Sequence, residues 1–296
     1  MKILLAIDSS AASKAAVNEV VARPWPKGTT VHILSVVESN VFVEIPPLIE
    51  KVTEMAYSAV KDAADKLKAR GFETLQTVEQ GHPKTVIVQY AKQWGADFVI
   101  VGSQGLSALT RFLMGSVAQA VVRHAACSVE VVRARAAYKT EAYDSGMRVL
   151  LAVDGSDCSI AAARSVAGRR WPAGTEVKIV SAIDIPVPAT EPWYVDAGLM
   201  NRLRDEETGR MRDAALTVKK IITGAGLKAS LAMPIGPAKS VILDEANMWG
   251  ADLIVTGSHG RRGVDRFLIG SVSEAVAMHA HCSVEVIRDE PQYKLK

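Results

Sequence analysis

The sequence is written twice. KILLAIDSS at 2–10 returns as RVLLAVDGS at 148–156, and Trp25-Pro26-Lys27-Gly28-Thr29 returns as Trp171-Pro172-Ala173-Gly174-Thr175, both at an offset of 146. Further on, Trp94-Gly95-Ala96-Asp97 returns as Trp249-Gly250-Ala251-Asp252 at an offset of 155, so the second copy gains nine residues in between. The Pro-rich run IPVPATEPWYVDAGLM (185–200) is the expected place for them. The windows 94–133 and 249–288 share 23 of 40 residues. A repeat of this length means duplication of one folding unit, and 296 residues suit two domains of about 150 residues each. The expected division is 1–135, a polar aperiodic linker at 136–146, and 147–290.

Each copy alternates strand and helix. In the first, 2–7 is a continuous apolar run, as in a strand buried on both faces. A helix is expected at 11–23, a strand at 31–37, and a long helix at about 48–70 with Gly71 ending it. A weaker strand follows at 74–80. Pro83 opens a helix that runs to about 94, 97–102 is the fourth strand, 116–125 a helix and 128–132 the last strand. Strands alternating with helices predict a parallel sheet covered on both faces.

After the fourth strand of each copy comes a glycine pattern: Gly102-Ser-Gln-Gly105, nine residues, then Gly115-Ser116; and Gly257-Ser-His-Gly260, nine residues, then Gly270-Ser271. Glycines allow a sharp turn and a close approach of backbone to an anion. Ser116 and Ser271 begin helices, where free N–H groups and the helix dipole favour phosphate. The competing reading is a tight strand-to-helix connection with no ligand. The third glycine followed by serine, at the same spacing in both copies, favours phosphate.

The run VTGSHGRRGVDRFLIGSVSEAVAMHAHCSVEVIR (255–288) resembles the ATP-binding signature of the universal stress protein family. VGSQGLSALTRFLMGSVAQAVVRHAACSVEVVR (101–133) is a close variant, and LLAVDGSD (150–157) resembles the family's first strand and turn. The resemblance covers almost the whole chain, as two units in tandem. It implies a Rossmann-like α/β fold with two open five-stranded parallel sheets of order 3-2-1-4-5, each flanked by helices and each binding its ligand outside the carboxyl ends of the strands, where strand order reverses. It implies ATP as ligand, with Mg2+ as a companion ion near the phosphates. Asp154 would contact ribose or metal, and Ala182, ending the second strand, would meet adenine through its backbone. Gly257, Gly260, Gly270, Ser271 and Val272 would hold the triphosphate. In the first copy the matching residues are Asp8, Val36, Gly102, Gly105, Gly115, Ser116 and Val117. An Asp in this place also reads as a cap on the following helix. The resemblance favours the ligand contact.

The copies diverge near this turn. The second has Gly155 after its Asp, which would allow closer backbone approach, and Arg261, Arg262 and Gly263 in its spacer. The first has Ser9, and Leu106, Ser107 and Ala108. The second copy is therefore expected to bind the tighter, unless Arg261 and Arg262 form a solvated loop face. Arg111 and Arg266 occur in both copies, to reach phosphate or to cap the turn. His279, His281 and Cys282 suggest a metal site, but Ala126 replaces the middle histidine in the first copy. Helix-end histidines (His124, His279) and small buried cysteines (Cys127, Cys282) are the simpler reading, and no metal site is expected there. The tryptophan pairs Trp25/Trp171 and Trp94/Trp249 read as core or capping residues.

A Walker GxxxxGK[ST] motif and the kinase motifs are missing, and no catalytic constellation repeats in both copies. Binding is favoured over catalysis, giving a nucleotide-dependent stress-response module. A slow ATP-hydrolysing enzyme and an interaction scaffold with vestigial sites are the alternatives. A net charge of +3 without a basic tract argues against a nucleic-acid partner. No apolar run approaches the roughly 18 residues of a membrane span, and three cysteines make no disulfide framework, so the cytoplasm is the expected compartment. In a 3-2-1-4-5 sheet the fifth strand is an edge with unpaired N–H and C=O groups. SVEVV (128–132) and SVEVI (283–287) are expected to pair antiparallel within the chain or, failing that, with a second chain in a homodimer. Glu130 and Glu285 stand where apolar residues are commoner.

Overall fold

A computed structural model describes residues 1–38, 46–105, 114–134, 146–184, 197–260 and 269–288. The first half runs β1 (Lys2–Ile7), α1 (Ala11–Ala22), β2 (Thr30–Val37), α2 (Pro46–Lys68), β3 (Glu73–Gln80), α3 (Pro83–Trp94), β4 (Phe98–Gly102), α4 (Ser116–His124) and β5 (Ser128–Val132). The second runs β6 (Arg148–Ala152), α5 (Asp157–Ala167), β7 (Glu176–Val180), α6 (Ala197–Gly224), β8 (Lys228–Ala232), α7 (Ala238–Trp249), β9 (Leu253–Gly257), α8 (Ser271–His279) and β10 (Ser283–Ile287). The proposed linker lies outside the described residues except Gly146, as does most of the Pro-rich insertion.

All ten strands form one sheet of order β3-β2-β1-β4-β5-β10-β9-β6-β7-β8. Each half therefore has the 3-2-1-4-5 order. The halves do not remain two separate sheets, because the β5 and β10 edges satisfy each other in an antiparallel pair with Val284 opposite Val131, Glu285 opposite Glu130 and Val286 opposite Val129. The pairing fills backbone valences that each half alone would leave open.

The burial pattern explains the layers. In β1, Ile3, Leu5 and Ile7 face α1 and α2, while Leu4 and Ala6 face α3 and α4. Both faces are covered, so the strand is apolar and buried from Ile3 to Ile7, with only Lys2 at its start exposed. β3 and β8 are the outer edges of the sheet, and β3 carries an exposed, polar sequence that blunts its edge. This is why β3 is the weaker strand in the sequence.

Two arginines lock the joint reciprocally. Arg133, after β5, donates from Nη2 to the carbonyls of Ala277 and Met278 at the end of α8 (2.9 and 2.8 Å). Arg288, after β10, donates to the carbonyls of Val122 and Arg123 at the end of α4 (3.1 and 3.2 Å). Each cation sits at the negative end of a helix dipole and meets carbonyls left over by the last turn. Cys127 and Cys282 are buried, and Trp25 and Trp171 donate from Nε1 to the carbonyls of Val20 and Val166 (3.0 and 2.7 Å), closing the ends of α1 and α5.

Candidate functional site

At the carboxyl ends of β1 and β4, and again of β6 and β9, neighbouring strands lead to helices on opposite faces of the sheet, the switch point at which open α/β sheets bind their ligands. The pairing register sets what meets there. Ile7 pairs with Ser35 and Ala6 with Val101, so Asp8, Val36 and Ser103 continue at one level. Ala152 pairs with Val180, which brings Ala182 level with Asp154. Ala182 does not end a strand, however. β7 stops at Val180, and beyond it the pairing with the third strand shrinks to a single bridge, Ile183 to Ile235. Pro234, with no N–H to give, interrupts the ladder there.

The aspartates are held from one side. Asp8 Oδ1 accepts from the Ser10 N–H (2.9 Å) and from Ser13 Oγ (2.6 Å). Asp154 Oδ1 accepts from the N–H (3.0 Å) and Oγ (2.6 Å) of Ser156. The helix cap itself is the serine. Ser10 Oγ accepts from the Ser13 N–H and Ser156 Oγ from the Ser159 N–H. The Ser10 hydroxyl donates to the carbonyl of Gln104 (3.1 Å), and the Ser156 hydroxyl, whose one hydrogen is directed at Asp154, lies 3.2 Å from the carbonyl of His259, so both loops after the first strand touch the glycine turn after the fourth. The aspartates thus fold the loop and leave capping to serine, which the sequence alone did not separate.

The other carboxylate oxygen leans on the glycine turn. A Cβ at Gly105 would lie 3.0 Å from Asp8 Oδ2, and one at Gly260 would lie 2.7 Å from Asp154 Oδ2. Gly115 and Gly270 return the chain to the turn, donating their N–H groups to the carbonyls of Ser103 and Ser258 (2.7 Å each). They are also the N-caps of α4 and α8, and neither has a side-chain cap. The opening N–H groups of these helices, including those of Ser116, Val117, Ser271 and Val272, therefore receive no acceptor from the cap residue, in contrast to α1 and α5. The spacers 106–113 and 261–268 lie outside the described residues, and with them Arg111, Arg261, Arg262 and Arg266.

Gly102 and Gly257 have a packing reason of their own. A Cβ there would come within 2.7 Å of the backbone carbonyl carbon of Ala12 or Cys158, so each permits its helix to lie on the strand end. Gly257→Ala is expected to cost about 1–3 kcal/mol, the usual range for overpacking, read as a lower urea midpoint. An unchanged midpoint would mean that α5 can shift freely.

The exchange of Gly155 for Ser9 beside the aspartates, visible in the sequence, has a packing consequence that the sequence does not show. In the second half Gly155 (φ 79°) lets α6 close on the loop, with Ala214 Cβ 3.1 Å from where a Cβ would stand. Its glycine thus serves helix packing. In the first half Ser9 takes that place, and a cavity of about 310 Å3 opens between α1 and α2, lined among others by Asp8, Ser9, Lys14, Asp62 and Lys66. No motif marks it, because it depends on the spacing of two helices. Among the described residues no three His, Cys, Asp or Glu side chains gather to hold a metal ion, and no helix is long and apolar enough to cross a membrane.

Fold and site together define a doubly wound α/β protein made of two repeats, each with a glycine-rich turn at its switch point. The family model described as the universal stress protein family matches twice, over residues 1–133 and 147–288. The chain belongs to the universal stress protein family. It is similar along its length to a universal stress protein of Mycolicibacterium smegmatis, 29% identical over 299 residues, covering 97% of this chain and 96% of the relative. A Methanocaldococcus jannaschii universal stress protein is 32% identical over 145 residues, covering 48% of this chain and 81% of its own. Among solved structures, a universal stress protein from Archaeoglobus fulgidus superposes with a TM-score of 0.64 at 21% identity, covering 98% of this chain and 97% of that one. At that identity it shows the shared fold.

Proposed function

We propose that the chain binds ATP at both switch points and works in the cytoplasm as a nucleotide-dependent stress-response module. It would do so through two domains, 1–135 and 147–290, joined by a linker at 136–146. The observation that carries this reading is the pair of uncapped helix starts. Gly115 and Gly270 offer α4 and α8 no side-chain acceptor, and each helix begins against a turn in which Gly105 or Gly260 lies close against the aspartate carboxylate. Free N–H groups at a helix N-terminus, with the dipole behind them, suit a phosphate. Val36 and Ala182 stand level with the aspartates, within reach of the base and ribose of the same ligand. Asp8 and Asp154 fit a companion Mg2+, which binds through one or two carboxylates and the phosphates themselves and would offset phosphate charge. The cation-bearing spacer of the second half, with Arg261 and Arg262, favours tighter binding there.

One experiment tests the reading and its enzymatic alternative together. The chain is purified without added nucleotide, denatured and analysed by mass spectrometry for released ligand. The refilled protein is then given labelled ATP. The expected result is an adenine nucleotide in the released fraction and turnover far below the typical enzyme rate of about 10 per second. Absence of both released nucleotide and ATP binding would refute the proposal, and turnover near that rate would make the protein an enzyme.

A further inference from the structure

The joint between the halves has charged side chains at its centre. Glu130 of β5 and Glu285 of β10 stand directly opposite each other and are both fully buried. Like charges opposite each other on a sheet repel. The groups facing them come from the segments packed on that side. From α1 and the residue after it come Glu19 and Arg23, and from just beyond α5 comes Arg169. Arg23 Nη2 bonds Glu130 Oε1 and Arg23 Nη1 bonds Glu285 Oε1 (2.6 Å), while its Nε and Nη2 also hold Glu19 Oε1 (2.8 and 2.6 Å). Arg169 grips Glu285 with two bonds, Nη1 to Oε1 (2.8 Å) and Nη2 to Oε2 (2.6 Å).

The distribution is uneven. Three carboxyl groups among the described residues meet two guanidinium groups, and Glu285 takes three of the bonds. Glu130 receives one, from an arginine shared with two other carboxylates, and its Oε2 is buried with no hydrogen-bond partner. A buried carboxylate with one oxygen unsatisfied is costly, whereas a protonated carboxyl avoids the charge. We propose that the β5–β10 joint is a proton-dependent lock, closed while Glu130 is a neutral carboxyl and loosened when Glu130 ionises.

The electrostatics agree in direction. Burial first, and then the neighbouring Glu285 and Glu19, push the Glu130 carboxyl up to about 8 against the pull of Arg23. Burial would raise Glu285 as well, but Arg169 and Arg23 outweigh it and hold that carboxyl below its ordinary value. A carboxyl raised in the folded state stabilises it fully below the unfolded value of 4.5 and loses that contribution as pH rises to about 8. Glu19 has no counterpart in the second half, where Ser165 stands at the same place in the repeat. The imbalance therefore comes from the first half.

The test uses the full chain in urea titrations between pH 6 and 9. For the wild type the unfolding constant should rise about tenfold per pH unit up to about pH 8 and then level off, as one bound proton requires. Glu130→Gln should remove that one-proton slope. Hydrogen exchange at Val129, Val131, Val284 and Val286 should rise above the intrinsic base-catalysed increase in the wild type and follow it in the variant. Should Glu130→Gln fail to fold, Glu19→Gln takes its place. It frees Arg23 to neutralise Glu130 and should move the break to lower pH. Equal slopes in wild type and variant, or joint amides that follow only the intrinsic rate, would overturn the proposal.

Discussion

Arg23→Met is expected to destabilise the chain by about 3–5 kcal/mol, the cost of removing one partner from a buried ion pair. Arg23 is the one described group that touches Glu19, Glu130 and Glu285 together, and methionine keeps much of its volume while removing every charge-assisted bond. Glu285 would keep its two bonds to Arg169, while Glu130 and Glu19 would lose those that Arg23 gives them. Arg169→Met should cost less, because Glu285 would keep Arg23 and the Arg169 side chain is the more exposed of the two, at 12% against 5%. Urea unfolding at pH 7 measures both. A loss below about 1 kcal/mol for Arg23→Met, in the range of surface pairs, would show that water reaches the joint and that its charges are not buried in solution.

Much of the fold was legible because duplication and strand-helix alternation are local signals. The offset of 146 located β6 from β1, and the apolar run of β1 announced a strand covered on both faces. The pairing of β5 with β10 followed from the edge argument and the resemblance. The two glutamates did not yield to the same reading. A glutamate in the middle of a strand normally marks a solvent face, and Glu130 and Glu285 reverse that because their partners are distant in sequence. Arg23 is 107 residues from Glu130, and Arg169 is 116 from Glu285. Only the register that sets Glu130 against Glu285 shows that the charges converge.

In the site, the spacing of glycines and serine was visible but the work of each glycine was not. Gly102 and Gly257 make room for helices α1 and α5, Gly105 and Gly260 for an aspartate, and Gly115 and Gly270 leave helices uncapped. These are three different physical demands written with one letter. Gly155 carries a fourth, the approach of α6, where sequence reasoning expected it to admit a ligand. The cavity between α1 and α2 left no trace at all, because it arises from the distance between two helices that each look ordinary alone.

The second large effect concerns the glycines that begin α4 and α8. A Cβ at Gly115 would lie 3.5 Å from Gln104 Cα and the Gly105 nitrogen, and one at Gly270 would lie 3.3 Å from the Ser258 carbonyl oxygen. A methyl therefore nearly fits, while the branched side chain of valine would crowd the space between turn and helix where the phosphates are proposed to lie. A hydrogen bond to a charged group contributes about 1.5–3 kcal/mol, so losing one such contact should weaken binding roughly tenfold or more. The decisive measurement is calorimetric titration of ATP into the wild type, Gly115→Val, Gly270→Val and the double variant, each first shown to keep its cooperative unfolding. Weaker binding is expected in both single variants, with the larger loss in Gly270→Val, and no measurable binding in the double variant. Wild-type ATP affinity in a folded double variant would contradict phosphate binding at these helix starts.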